Sequence, residues 1–208
     1  IIHKENENDD YKWEVLLPHK MSQFGPSIAV GDINGDQKED FYLGGAAGEV
    51  GQLYVQNAKG NFNKVNQAAW TQDKASEDLG AAFIDVDNDN DLDLFVVSGG
   101  NEFNEGDGAL QDRLYINNGK GKFTKSKSGL PKYLTSGSCV VPNDFDNDGD
   151  IDLFIGGRLT PRKYPNPTDS YILENKGGRF VDVTKEKAAE MNNLGLVTAA
   201  SWSDFNKD

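Results

Sequence analysis

One aspartate-rich phrase occurs four times in this chain, and such a repeat limits the possible folds more than any other feature of the sequence. The complete copies are GDINGDQKEDFYLGG at 31–45, IDVDNDNDLDLFVVSGG at 84–100 and NDFDNDGDIDLFIGG at 143–157. A fourth copy, SDFNKD, occupies 203–208. The first aspartates of the copies are Asp32, Asp85, Asp144 and Asp204, so the spacings are 53, 59 and 60 residues. A unit of this length indicates a solenoid or a propeller.

A second phrase recurs at a fixed place in each unit, as LYVQN at 53–57, LYINN at 114–118 and YILEN at 171–175. Glycines and then a phenylalanine follow each copy, which is typical of a β-hairpin. Each unit therefore predicts four short antiparallel strands, the arrangement of a propeller blade. We predict an all-β fold, with a helical turn or two only at 184–191 and a further strand at 13–17.

The aspartate phrases place oxygen donors at alternate positions, and this alternation points to a metal loop. A hard cation such as Ca²⁺ takes six to eight oxygen ligands, and a coiling loop supplies them from positions 1, 3, 5, a position-7 carbonyl and a later carboxylate. Position 9 provides that carboxylate here. The predicted ligands, counting carbonyls at Lys38, Asp91 and Asp150, are Asp32, Asn34, Asp36, Lys38, Asp40, Asp85, Asp87, Asp89, Asp91, Asp93, Asp144, Asp146, Asp148, Asp150, Asp152, Asp204, Asn206 and Asp208.

Plain surface turns and metals other than calcium fit these loops less well. Asx-rich turns need no strict alternation, and five aspartates in nine residues repel one another without a cation. Mg²⁺ retains its waters, and transition metals favour His or Cys, which are absent from the loops. We expect about three Ca²⁺ per chain. Position 6 favours a residue that tolerates positive φ, so Gln37, beside Gly35 at position 4, predicts that the first site is the weakest or most distorted.

The net charge of the chain argues against some classes of binding partner. Thirty-four acidic residues against 21 basic residues give a net charge of -13, which argues against nucleic acid or an anionic membrane surface as the main partner. No apolar stretch approaches the roughly 20 residues that span a bilayer.

Together the two phrases resemble the FG-GAP or VCBS repeats of integrin α-subunits and of many secreted bacterial proteins. Bacterial relatives of the cartilage-acidic-protein type are the most similar, because of the segments 156–158 and 179–184. This resemblance implies a calcium-stabilised β-propeller, usually seven-bladed, that works outside the cytoplasm in adhesion or recognition, at the cell surface, in secreted form or in the periplasm.

A seven-bladed ring needs ~400 residues, whereas this chain offers about three and a half blades. We divide it into an N-terminal tail and strand at 1–26, blades at 27–78, 79–137 and 138–195, and the truncated start of a fourth at 196–208. The remaining blades are expected from a larger chain or from a second copy. The polar segment 3–10 is expected to be a mobile tail.

Two functional classes stay open. The preferred one is a calcium-dependent extracellular module that recognises a protein or a glycan, with Arg158, Arg162, Lys163 and Tyr164 as the predicted ligand-binding cluster. Trp13, Trp70 and Trp202 are expected in the core. The alternative is the scaffold of a secreted polysaccharide-degrading enzyme, a lyase or a glycoside hydrolase. The sequence indicates no catalytic residue, since no nucleophile elbow or zinc motif is present.

Overall fold

Three four-stranded antiparallel sheets, one per complete repeat, make up the architecture of the chain in a computed structural model that describes residues 2–206. In each sheet the strands lie side by side in chain order, which confirms the all-β fold built from propeller blades. Sheet one contains β1 Ile28–Gly31, β2 Asp40–Leu43, β3 Gln52–Gln56 and β4 Phe62–Val65. Sheet two contains β5 Glu77–Ile84, β6 Asp93–Gly99, β7 Arg113–Ile116 and β8 Thr124–Lys125. Sheet three contains β9 Ser136–Asn143, β10 Asp152–Leu159, β11 Tyr171–Asn175 and β12 Phe180–Asp182.

The register of the first two strands fixes which end of each sheet carries which feature. In sheet two Ile84 pairs with Asp93 and Glu77 pairs with Gly99, so the aspartate loop lies at one end and the glycine pair at the other. Strands β5 and β9 begin at Glu77 and Ser136, two residues before the blade boundaries placed at 79 and 138. Gly31 pairs with Asp40 in sheet one and Asn143 with Asp152 in sheet three, so the aspartate loops of all three sheets occupy equivalent positions.

The core lies between the faces of neighbouring sheets. Side chains alternate along a strand, and β6 uses both of its faces. Leu94 and Val96 belong to the apolar cluster shared with sheet one, whereas Phe95 and Val97 belong to the cluster shared with sheet three. All four are fully buried, and each burial contributes roughly 1.5–3 kcal/mol. The middle sheet is thus covered on both faces, as a blade inside a propeller is.

Helical structure is short. The predicted turns at 184–191 are confirmed, as α2 Thr184–Lys187 and a 3₁₀ turn Ala189–Met191. A helical turn that the sequence pattern does not predict, α1 Ala68–Thr71, buries Trp70 between sheets one and two, where it meets Tyr42 edge-on. Another 3₁₀ turn is Gly108–Leu110. No helix within residues 2–206 is long and apolar enough to cross a membrane.

The prediction of a strand at 13–17 is wrong. The segment follows a 3₁₀ turn, Asp10–Lys12, and pairs with no sheet. Leu17 of this segment is buried against Leu159 of β10. Trp13 is 57% exposed, so the expectation that it belongs to the core is wrong. The hydrophobic run therefore covers the end of sheet three instead of extending a blade.

The prediction of a mobile tail at 3–10 is also wrong. The Asp10 carboxylate is buried and accepts hydrogen bonds from the backbone N–H groups of Met21 and Ser22, at 2.5 and 2.9 Å. Asn6 donates from Nδ2 to Glu102 Oε1 at 3.2 Å. The segment is packed because it offers polar groups that meet partners far away in sequence.

Candidate metal centres

The three complete aspartate loops share one backbone conformation. Positions 4 and 6 of every loop have left-handed φ angles, and the residues there are Gly35 and Gln37, Asn88 and Asn90, and Asn147 and Gly149. From the sequence we expect a left-handed φ only at position 6, and in the first loop we expect Gly35 at position 4 to stand in for Gln37. Gln37 instead adopts a φ of 64° alongside Gly35, so the expected backbone distortion of the first loop is absent. The cost appears as strain at Gln37, because left-handed φ is unfavourable for a residue with a Cβ.

The aspartate at position 1 holds each loop closed. Asp32 accepts backbone N–H groups of Gly35, Asp36 and Gln37 at 2.8, 3.2 and 2.6 Å. Burial works against ionisation of Asp32, but these donors and that of Asn34 outweigh it and lower the pKa of its carboxyl. Backbone N–H groups likewise reach Asp85 from positions 5 and 6 of its loop, and Asp144 in the same way. The loop therefore curls around its first carboxylate.

The aspartate at position 9 is the buried end of each loop. Asp93, 1% exposed, accepts the N–H of Val86 in its own loop at 3.2 Å and that of Asn117 after β7 at 2.7 Å. Burial raises the pKa of this carboxyl to about 7, although both N–H groups favour the charged form. Burial likewise raises the pKa of Asp40 and Asp152, which accept the equivalent pairs of N–H groups. A cation beside these carboxylates offsets the cost of burying their charge.

Buried asparagines tie the first and second loops to the next sheet. Asn117 Nδ2 donates to the carbonyl of Ile33 in the first loop at 2.8 Å, and Asn175 Nδ2 donates to the carbonyl of Val86 in the second at 2.8 Å. Both belong to the hairpin phrase, so the two repeated phrases meet across the interface between sheets. Asn117 is the fourth residue of its phrase and Asn175 the fifth, so the sequence showed neither their equivalence nor this contact.

Carboxylate oxygens converge in the second and third loops. One oxygen from each of Asp85, Asp87 and Asp89 lies within 4.8 Å of the others, and the same holds for Asp144, Asp146 and Asp152. Burial first, and then the neighbouring carboxylates, raise the pKa values of Asp87 and Asp91. An all-oxygen donor set with this much negative charge fits a hard cation.

Glu174 is an addition that sequence reasoning missed. It lies on β11, and one of its oxygens joins Asp146 and Asp148 in a further group within 4.8 Å. Glu174 also pairs with Lys176. Only its place within the repeated hairpin phrase could have suggested it, because 22 residues separate it from Asp152 along the chain.

The first loop has a different donor set. Position 3 is Asn34, whose Nδ2 donates to Asp40 Oδ2 at 3.3 Å. Lys38 Nζ lies 3.2 Å from Asp36 Oδ2 and competes with a cation for that carboxylate. The loop therefore offers one carboxylate fewer and an internal counter-charge. This chemistry, and not the backbone, is what separates it from the other two.

Predicted metal ligands from the third and fourth copies of the aspartate phrase lie side by side. Asp204 and Asn206 line a cleft of about 630 Å³ together with Asp144 of the third loop, next to the stacked rings of Phe145 and Trp202. Asp208, the remaining predicted ligand of the fourth copy, falls outside the described residues.

The predicted ligand-binding cluster lies at the end of the sheets opposite the aspartate loops, against the N-terminal segment. The Arg158 guanidinium stacks over Phe24 at 4.7 Å, and that of Arg162 stacks over Trp13 at 4.8 Å. Arg162 also donates to Asn104 Oδ1 at 2.8 Å. Both arginines are thus engaged within the chain.

Lys163 and Tyr164 flank a cleft beside these arginines. Lys163 pairs with Glu105, and Tyr164 packs against the apolar cluster of Leu17 and Met21. The cleft has a volume of about 560 Å³ and is also lined by Trp13, Leu16 and Pro165. It combines exposed apolar surface with the charged groups of Arg162, Lys163 and Glu14.

Comparisons with known proteins agree with this architecture. The model of the FG-GAP-like repeat matches residues 32–96 and 85–155, which together are more than half of the chain. Integrin alpha-V of Gallus gallus is 30% identical over 142 residues. That match covers 64% of this chain and 14% of the integrin, so the chain spans a small part of its relative's length.

Proposed function

The chain belongs to the FG-GAP-like repeat family, and from this premise we propose that it is a calcium-stabilised recognition module of the adhesion type, working outside the cytoplasm. The observation that carries the proposal is the repeated loop, whose carboxylates converge within 4.8 Å at a blade end in the second and third copies. Ca²⁺ supplies positive charge there and does no chemistry. The ligating residues are those predicted for the three complete loops, with Glu174 added to the third.

In this proposal calcium acts on folding. A cation that binds the folded loops and not the unfolded chain stabilises the protein by mass action, about 2.7 kcal/mol per site at a hundredfold excess over its Kd. The buried position-9 aspartates transmit this to the sheets, because each bonds both its loop and the third strand. Three sites per chain are expected, with the first the weakest because Lys38 competes for Asp36.

Recognition is assigned to the cleft beside Lys163. Trp13 and Leu16 are 57% and 91% exposed there, and loops on a rigid scaffold are common binding sites. The partner proposed is an extracellular protein or a glycan that presents an apolar group next to an anion. Blades from a longer chain, or a second copy, would cover Ile28 and Val30 of β1, which are 59% and 57% exposed.

The test combines calorimetry with thermal unfolding in millimolar calcium and in EGTA. Three ions per chain and a melting temperature that rises with calcium would support the proposal. A melting temperature independent of calcium would refute the structural role of the metal. Protein and glycan arrays probed with the wild type and with Leu16→Ser and Lys163→Glu address recognition, with Lys120→Glu as an exposed matched control. Turnover of a polysaccharide by the chain would favour the enzyme scaffold instead.

A further inference from the structure

A second group of carboxylates lies at the end of sheet two opposite its aspartate loop. Glu77 is the first residue of β5, and Glu102 follows β6 in the long connection to β7. Glu5 and Asn6 of the N-terminal segment complete the group, and Asn6 is hydrogen-bonded to Glu102. None of these residues belongs to the repeated phrases.

Glu77 is the observation that calls for a ligand. Its side chain is 1% exposed, and no other described group donates a hydrogen bond to either carboxylate oxygen, so only a proton shared with Glu102 could bond it. Three further buried oxygens have no hydrogen-bond partner among the described residues, and they are Glu5 Oε2, Asn6 Oδ1 and Glu102 Oε2. Unpaired buried carboxylates are costly and rare, since each forfeits its hydration without compensation.

Two of these oxygens, one from Glu77 and one from Glu102, are aimed at the same space. Gly100 has no side chain, and a Cβ placed on it would stand 2.4 Å from Glu102 Oε2 and 2.9 Å from Glu77 Oε2. The two carboxylates therefore face each other across the gap that this glycine leaves. His3 contacts Glu5 Oε1 at 2.7 Å, which fixes that oxygen and leaves Oε2 available.

The charges around Glu77 offer no compensation. Burial, followed by Glu102, Glu5 and Asp78, raises the pKa of Glu77, and all three neighbours are carboxylates. Asp78 is itself neutralised by Arg113 at 2.6 Å. Arg162 approaches from the other side, but it donates to the backbone carbonyl of Glu102 and not to a carboxylate.

We propose that Glu5, Asn6, Glu77 and Glu102 form a further Ca²⁺ site, distinct from the aspartate loops. All five unpartnered donors are oxygens, which suits a hard cation, and an irregular, buried donor set suits Ca²⁺ better than the octahedral, hydrated Mg²⁺. The bound ion ties the N-terminal segment to the connection after β6. This site does not rest on the function proposed for the loops.

The experiment counts calcium per chain by equilibrium dialysis in the wild type, Glu77→Gln and Glu102→Gln. Each variant is expected to bind one ion fewer than the wild type. Glu105→Gln is the matched control, because Glu105 lies in the same connection but is exposed and pairs with Lys163. It is expected to bind the full number. If the aspartate loops fail to bind calcium, the wild type still binds one ion and Glu77→Gln binds none.

Amide hydrogen exchange locates the ion and guards against misfolded variants. Calcium is expected to slow exchange in peptides covering 3–10 and 99–105 of the wild type, and not in Glu77→Gln. Glu5→Gln, which lies outside the sheets, is expected to keep the fold and to weaken binding at this site roughly tenfold or more. Unchanged stoichiometry in Glu77→Gln, or calcium-independent exchange in both segments, would overturn the proposal and favour a carboxyl pair that shares a proton.

Discussion

Replacing Asp152 separates the structural role of a position-9 aspartate from its role as a calcium ligand. Asp152 is fully buried, and its carboxylate accepts the N–H groups of Asn175 at 2.8 Å and Phe145 at 3.2 Å. Asp152→Ala leaves both donors unpaired, at about 1–3 kcal/mol each. Removing a buried negative charge offsets part of this, so we expect a net loss of about 3 kcal/mol even without calcium.

The matched control is Asp148→Ala, in the same loop. Asp148 is exposed and accepts only the N–H of Asp150 among the described contacts of its side chain. In EGTA its loss should change the free energy of unfolding by less than about 0.5 kcal/mol, because surface substitutions rarely do more. With saturating calcium both variants should lose the stabilisation due to the third site.

Urea unfolding of the wild type and both variants, followed by circular dichroism once in EGTA and once in calcium, supplies the six free energies needed. We expect a large difference in stability between the two variants in EGTA and similar losses of the calcium-dependent stability. Equal stabilities in EGTA would refute the structural role of the position-9 carboxylate. A calcium-dependent part that stays at the wild-type value in both variants would refute the assignment of the third site.

Two further predictions follow from single residues. Gln37→Gly should stabilise the chain by about 0.5–1 kcal/mol, since the strain of a left-handed glutamine exceeds the entropy cost of glycine, whereas Gly149→Gln should destabilise it. Urea midpoints measured in EGTA test this, and a stability change of the same sign in both variants would contradict it. Burial, opposed by the Ser98 N–H and by Arg113, raises the pKa of Asp112 to about 7, against about 3.9 when unfolded, so the folded state holds the proton more tightly. The stability that Asp112 contributes is therefore complete below about pH 4 and is lost as the pH rises to about 7, by an amount on the order of 4 kcal/mol. The measurement is the difference in unfolding free energy between the wild type and Asp112→Asn. This explanation is excluded if that difference does not vary between pH 4 and 7.

The repeated elements could be predicted from the sequence because the information they need is local. Alternating aspartates, the glycines and asparagines of the turns and the short apolar strands each specify their own conformation, and the recurrence of the pattern reveals the blade. Gln37 is the instructive exception: its residue type argues against a left-handed φ, but the hydrogen bonds to Asp32 impose one. The loop as a unit overrides the preference of one residue.

What could not be predicted depends on groups brought together from distant parts of the chain. Asp78 and Arg113 form a buried ion pair at 2.6 Å, and Tyr42 of sheet one donates to the same aspartate at 2.6 Å. Nothing in the sequence pairs these three residues. The expectation for the N-terminal segment failed for the same reason, because Asp10 resembles a solvated charge until Met21 and Ser22 supply its donors.

The contacts between repeats explain why a metal in a surface loop should affect the whole fold. Asn175 donates its backbone N–H to Asp152 in its own blade and its side-chain Nδ2 to the Val86 carbonyl in the preceding loop. An ion that orders one loop therefore orders an asparagine that also holds the loop of the neighbouring blade. The same arrangement at Asn117 connects the second blade with the first. Coupling of this kind favours a cooperative response to calcium along the row of blades, and a purely local effect would require that the asparagine contacts contribute nothing.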